Sequence, residues 1–304
     1  EREDGYATNQ VQVAHNMHLF LTTFYKQHHP ELLRNELYIF GESYAGKYIP
    51  SIAHRLFFAH PGDTIKVNIQ GVGIGDGLTH PIQQFTDYAE FGFNTGLLDH
   101  VQYDSMMAAQ KVAESLIEQG KWSQAMNRVN GILGNFVSAS GGINVYDIRL
   151  YGDYDLDHLS EYVMQPDVRE QMHTVGRRDY HDCDAETYAK LQNDMPQSVR
   201  NYVIDLLNNG FRVMMYNAQF DMIINSPAAE RWIYTMPWDG QTKYQRAQKN
   251  IWKDGAGNVV GYTRVSGPLI QVLINGAGHL APMDQPENSL DMVNKFIRKA
   301  KPFV

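Results

Sequence analysis

The chain has 304 residues, of which 43% are hydrophobic and 20% charged, so it can bury a large core and has neither the low hydrophobicity nor the charge excess of a disordered chain. A net charge of −8 with no Lys/Arg cluster disfavours nucleic acid as a partner through long-range repulsion, and no stretch is long and apolar enough to span a bilayer. A single cysteine, Cys183, cannot form an intrachain disulfide, which fits a reducing compartment or a fold that needs no covalent staple.

The opening segment Glu1–Thr8 has neither an initiator Met nor the pattern of a signal peptide, so the chain is expected to begin inside a longer precursor. A helix is predicted over Asn9–His28, capped by Thr8 or Asn9 and closed by Pro30. Val13, Met17, Phe20, Leu21 and Phe24 form its apolar stripe. The short run Leu37–Phe40 reads as a buried strand leading into Gly41-Glu42-Ser43-Tyr44-Ala45-Gly46. A second helix follows, with Ile49, Ile52, Leu56 and Phe57 on one face and Pro50 tolerable only near its first turn or at a kink. Ile65–Ile74 is a further predicted strand, ending in the loop Gly75-Asp76-Gly77.

From about 84 to 192 the periodicity is helical, over Phe85–Phe93, Val101–Ile117 and Trp122–Leu133, and this stretch is expected to be a helical cap inserted in a single domain. The alternation then resumes with a helix over Val199–Leu207, strands over Val213–Tyr216 and Leu269–Ile274, and a final helix over Ser289–Ala300. Strands alternating with helices predict an α/β fold with a mostly parallel central sheet.

A strand that turns sharply into a helix lifts a side chain clear of the sheet, and small neighbours relieve the crowding of that turn. Gly41 and Ala45 flank Ser43 two residues on either side, with Ala in the place where the strict pattern has Gly. Hydrolysis by serine also needs a base and a carboxylate that orients it, in the chain order Ser, Asp or Glu, His. Asp221 follows the strand ending at Tyr216, and His279 follows the one ending at Ile274, within a glycine-rich loop. Ser43 is therefore the candidate nucleophile, His279 the general base and acid, Asp221 the orienting carboxylate, and the Tyr44 backbone N–H an oxyanion donor.

GESYAGKYIP at 41–50, GDGLTHP at 75–81, YNAQFDMIIN at 216–225 and GAGHLAPMDQP at 276–286 resemble the serine carboxypeptidase family. Asn144–Arg149 and Gln165–Arg169 fit it too, and the region around Met236-Pro237-Trp238 resembles its vitellogenic-like branch. The resemblance implies an α/β-hydrolase fold and release of C-terminal residues from peptides through an acyl-enzyme. It also implies that Glu42 binds the substrate's terminal carboxylate while protonated, hence an acidic working range, and a secreted or lysosomal/vacuolar location.

The family's upstream Asn-Gly-Gly-Pro-Gly segment, which supplies a second oxyanion donor, has no counterpart here, and one such donor contributes about 2.7–4 kcal/mol. The chain alone is thus expected to be inactive or weakly active, with its own upstream segment, a homodimer partner or another second chain completing it. No metal or organic cofactor is implied. Two alternatives share the sequence features: an esterase or acyltransferase on the same fold, and a non-catalytic storage or protective binding protein.

Three weaker patterns carry less. Gly71–Gly77 lacks the spacing of a dinucleotide loop, having Asp76 at the sixth place. His181-Asp182-Cys183-Asp184 has metal-ligand residue types without a second cluster, and reads as a solvated loop. His15 and His18, three apart on a helix, read as surface or half-buried side chains.

Overall fold

The computed structural model describes residues 5–303; Glu1–Asp4, the start of the opening segment, lie outside the described residues. The chain enters through helix α1, Gln10–Thr23, whose N-cap Asn9 accepts from the Gln12 N–H, and a π-turn over Phe24–His28 continues it to the predicted end. The buried face of α1 is narrower than the predicted stripe. Ala14 is buried and Val13 and Leu21 pack on the core, but Phe20 remains 60% exposed. The apolar periodicity marks a face; it does not reveal that only part of that face meets the rest of the chain.

Strand β1, Leu37–Glu42, runs through the Ser43 turn into α2, Ala45–Phe57, and β2 follows at Ile69–Gly75. The predicted strand from Ile65 is shorter at its start, because pairing with β1 begins at Ile69. Pro50 lies in the interior of α2, not in its first turn. The N–H it lacks would have served the Gly46 carbonyl, and the Thr79 hydroxyl donates to that oxygen instead at 2.9 Å. Helix and loop approach closely there: a Cβ on Gly46 would stand 2.4 Å from the backbone of Gly77 and Leu78, so only glycine fits.

Between β2 and the next strand the chain is predominantly helical: α3 Pro81–Gln84, α4 Tyr88–Asn94, α5 His100–Glu118, α6 Trp122–Ala139, α7 Asp157–Val163, α8 Pro166–Gln171, α9 Ala185–Leu191 and α10 Arg200–Asn208. Much of it gathers around a core of its own, with Phe136, Ala113, Val129, Ile132 and Tyr88 at its centre. An Asp99–Gln102 capping box starts α5, and both partners are legible in the sequence.

Then come β3, Arg212–Ala218, α11, Ser226–Thr235, and α12, Gln241–Arg246, followed by β4, Asn250–Lys253, β5, Val259–Ser266, and β6, Leu269–Ile274; α13, Ala281–Asp284, and α14, Pro286–Ile297, close the described fold. The sheet order is β1-β2-β3-β6-β5-β4. β1, β2, β3 and β6 are parallel, while β4 and β5 are antiparallel additions at one edge. One core lies between α2, α10, α11 and the sheet, and another packs α14 on the opposite face through Phe296 and Met292. The β4–β5 hairpin was not among the expected strands. Its turn is stabilised by Asp254, which accepts from the backbone of Ala256 and Asn258, yet its strands are short and half polar.

Candidate active site

Four neighbouring parallel strands end at the same edge of the sheet, and the predicted site residues follow three of those ends: Ser43 after β1, Asp221 after β3 and His279 after β6. Ligands bind at this edge in open α/β sheets because the loops there are free of the repeating hydrogen-bond ladder.

Ser43 has a φ of +63°, a left-handed backbone that a non-glycine residue adopts at a cost of roughly 1–2 kcal/mol. The surroundings hold it there. Its N–H donates to the Gly75 carbonyl at 3.0 Å, and its own carbonyl accepts from Gly46 at 2.9 Å and from Leu78 at 3.0 Å. The need for small flanking residues is visible in the packing: a Cβ on Gly41 would lie 2.8 Å from that of Ala45. The Tyr44 N–H donates to no protein acceptor among the described residues, and it stands immediately before α2, where backbone donors converge. The side chain of Tyr44 is anchored separately. Its hydroxyl donates to Asp194 Oδ2 at 2.6 Å, and Lys47 and Gln10 reach the same oxygen at 3.1 and 2.7 Å. Lys47 is fully buried; burial pushes its ammonium down to about 8 against the pull of Asp194.

Asp221 and His279 are brought together. The carboxylate Oδ2 lies 2.7 Å from Nδ1 of the imidazole, both side chains are buried, and Asp221 Oδ1 accepts from the Ile224 N–H at 3.1 Å. With Nδ1 occupied, Nε2 is the free ring nitrogen, and it has no protein partner among the described residues. Burial lowers the basicity of His279, but the charge and hydrogen bond of Asp221 together raise it further, for a net shift upward. Glu42, the last residue of β1, is pushed up to about 7 by burial, with Asp221 adding to the rise and His279 and the Ala281 N–H opposing it. It is a carboxyl that holds its proton below about pH 7.

Sequence reasoning missed the segment that joins the two loops. Asn144–Arg149, noted only for its resemblance, passes between them. Val145 O accepts from the N–H groups of Met222 and Ile223 at 3.1 and 3.0 Å, and the Ile148 N–H donates to Phe220 O at 3.1 Å. On the other side Tyr146 O accepts from the His279 N–H at 2.6 Å. Arg149 binds the buried Asp147 carboxylate, Asp284 Oδ2 at 3.1 Å and Gly276 O at 2.8 Å, and Asp284 in turn accepts from the Gly278 N–H at 2.6 Å. The charged pair in Asn-Val-Tyr-Asp-Ile-Arg was the available signal, but its partners are more than 100 residues away in the chain.

The other singled-out residues have local roles. His18 faces Asp63 at 3.3 Å, Asp184 caps α9 by accepting from Thr187 N, and Cys183 is exposed.

The family model described as serine carboxypeptidase matches residues 1–299. A probable serine carboxypeptidase CPVL of Dictyostelium discoideum is 36% identical over the whole of this chain and 61% of its own length. The venom serine carboxypeptidase of Apis mellifera is 32% identical over 97% of this chain and 64% of its own, and the vitellogenic carboxypeptidase of Aedes aegypti 32% over 98% and 64%. The chain thus spans less than two thirds of these relatives. The crystal structure of a prohormone-processing carboxypeptidase from Saccharomyces cerevisiae superposes with a TM-score of 0.85 at 22% identity, covering 98% of this chain and 69% of that one, and shares its α/β-hydrolase fold. From the strand–elbow–helix unit at Ser43 to the loop of His279, this chain belongs to the serine carboxypeptidase family.

Proposed function

We propose that the enzyme containing this chain releases C-terminal residues from peptides by acyl-enzyme catalysis, with Ser43, His279 and Asp221 as its triad. The observation that carries this reading is the buried Asp221–His279 pair, 2.7 Å apart with Nε2 left free, at the same sheet edge as the strained Ser43 turn. Ser43 Oγ attacks the scissile carbonyl carbon as His279 Nε2 takes its proton, and Asp221 stabilises the imidazolium. The oxyanion takes the free Tyr44 N–H. Collapse breaks the C–N bond, and the proton moves from Nε2 to the departing amine. Water then attacks the acyl-enzyme through the same base.

Glu42 provides the preference for a free terminus. A neutral carboxyl donates a hydrogen bond to the substrate's carboxylate, whereas an ionised one repels it, so binding strengthens below about pH 7, in the acidic working range of a secreted or lysosomal/vacuolar route. The helices between residues 84 and 192 act as a cap over the sheet edge. A second oxyanion donor comes from elsewhere in the full enzyme or from a second chain.

A blocked dipeptide and its C-terminal amide test the reading. The expected result is release from the free acid, little from the amide, and loss of at least about 10⁴-fold in Ser43→Ala. Equal turnover of acid and amide would instead favour a general esterase or amidase.

A further inference from the structure

Asp76 opens the loop after β2 with its side chain fully buried, and the triad chemistry makes no use of it. Its Oδ1 accepts from the Ala218 N–H at 2.9 Å and from Asn217 Nδ2 at 3.2 Å, while Oδ2 has no donor among the described residues. One oxygen of Asp76, one of Asp221 and a ring nitrogen of His279 all lie within 4.8 Å of one another. The titratable groups around this cluster are Glu42 from the end of β1, Tyr216 from β3, Tyr88 from α4, which faces Asp221, Tyr146, whose ring lies 5.0 Å from that of His279, and Tyr154 beyond it. Two buried carboxyls and the half-buried Glu42 therefore surround one imidazole. At most one of them can be balanced by the imidazolium, and two carboxylates in contact without a donor between them repel.

We infer that Asp76 is a positioning residue that keeps a proton on Oδ2 and donates it to Asp221, adding to that carboxylate's bonds from Ile224 and His279. Burial and the charge of Asp221 both raise Asp76 above the usual carboxylate range, in the same direction. The neutral form leaves Asp221 as the one charge facing Nδ1. An ionised Asp76 would add a second and hold His279 as imidazolium, unable to accept the serine proton.

This inference rests on the proposed triad, and its test separates the two. In infrared difference spectra at about pH 6, wild type minus Asp76→Asn is expected to show a protonated-carboxyl C=O band, well above the pH at which an ordinary Asp ionises. The His279 midpoint followed by NMR is expected to move by less than about 0.3 unit in Asp76→Asn, because amide and neutral acid carry the same charge. Phosphonylation of Ser43 by a fluorophosphonate should slow about tenfold or more in Asp76→Ala and recover in Asp76→Asn, which restores an N–H donor. An ionised-carboxylate band, a fall of roughly one unit or more in the His279 midpoint of Asp76→Asn, or Asp76→Ala reacting like wild type would overturn the assignment. Labelling that persists in Ser43→Ala would sink the hydrolase reading instead, while the infrared band and the midpoint still decide Asp76.

Discussion

Glu42 and His279 are two residues whose charge states are set against their ordinary tendencies by where the chain puts them. Glu42, at about 7, is largely neutral below that pH, and a role in binding a terminal carboxylate is fully available there and lost as pH rises through 7. Glu42→Gln is therefore expected to remove the alkaline fall in kcat/KM that Glu42 imposes on peptides. It should weaken peptide cleavage roughly tenfold at acidic pH, where a neutral carboxyl is the better donor, and leave ester cleavage closer to wild type. Parallel pH profiles on a peptide and an ester check both parts. Ser43, Asp221 and His279 were candidates from the sequence because each sits in a short motif just beyond a strand end, and Glu42 was singled out by the family resemblance of the motif it shares with Ser43. Their ionisation was not legible, since it depends on burial and on neighbours from other strands.

At the scale of the elements, the site is held by two cross-links from the helical region, one to the start of α2 and one to the loop after β6. Lys47 and Tyr44, on the helix side of the elbow, meet Asp194 from the end of that region. Removing only the cation leaves a buried carboxylate without its charge partner, so Lys47→Met is expected to cost about 3–5 kcal/mol, read as a lower urea midpoint at unchanged m-value. The second link is Arg149, which ties Asp147 to the β6–α13 loop through Asp284 and Gly276 O. Arg149→Ala should lower kcat roughly 10–100-fold with little change in KM, because it loosens the approach of His279 and leaves the substrate pocket in place. Helix α6 starts at Trp122 as expected but runs on past Leu133 to Ala139, whereas the helix α5 and the strand β6 were predicted well, being long or strongly patterned. α11, α12 and the β4–β5 hairpin were not: they are short, and the pairing of β5 with β6 is what selects strand over loop there.

For the molecule as a whole, the buried groups set how stability varies with pH. Glu42 at about 7, Asp87 at about 6, Asp76 and His279 are all raised on folding, so between about pH 5 and 7 the native state holds more protons at these sites than the unfolded chain. The three carboxyls oppose stability above their folded pKa values, and that opposition fades as pH falls toward the unfolded ones; His279, raised by Asp221, instead contributes stability that is lost as pH rises through its folded pKa. His80, lowered to about 4, and His18, also lowered, work in the opposite sense over the lower part of that window. Between about pH 7.5 and 6, where Glu42, Asp76 and His279 act against His80 and His18, Tm is expected to rise as pH falls, at roughly 2 °C or more per kcal/mol. Asp76→Asn and Glu42→Gln should each flatten that rise in calorimetric scans. A Tm that falls over this range in the wild type would contradict the balance.

The sequence by itself determined the fold class, the sharp strand-to-helix turn at Ser43 and the order of the three catalytic candidates, because these depend on local patterns: apolar periodicity, small residues around a sharp turn, and loops just beyond strand ends. Only the tertiary structure decided which face of α1 is covered, how Thr79 compensates for Pro50, that Asn144–Arg149 joins the loops of Asp221 and His279, and that Asp76 stands beside Asp221 and His279. Each of these is a meeting of residues far apart in the chain. Close packing and the desolvation of charge act on neighbours in space, and linear order does not reveal which neighbours those are.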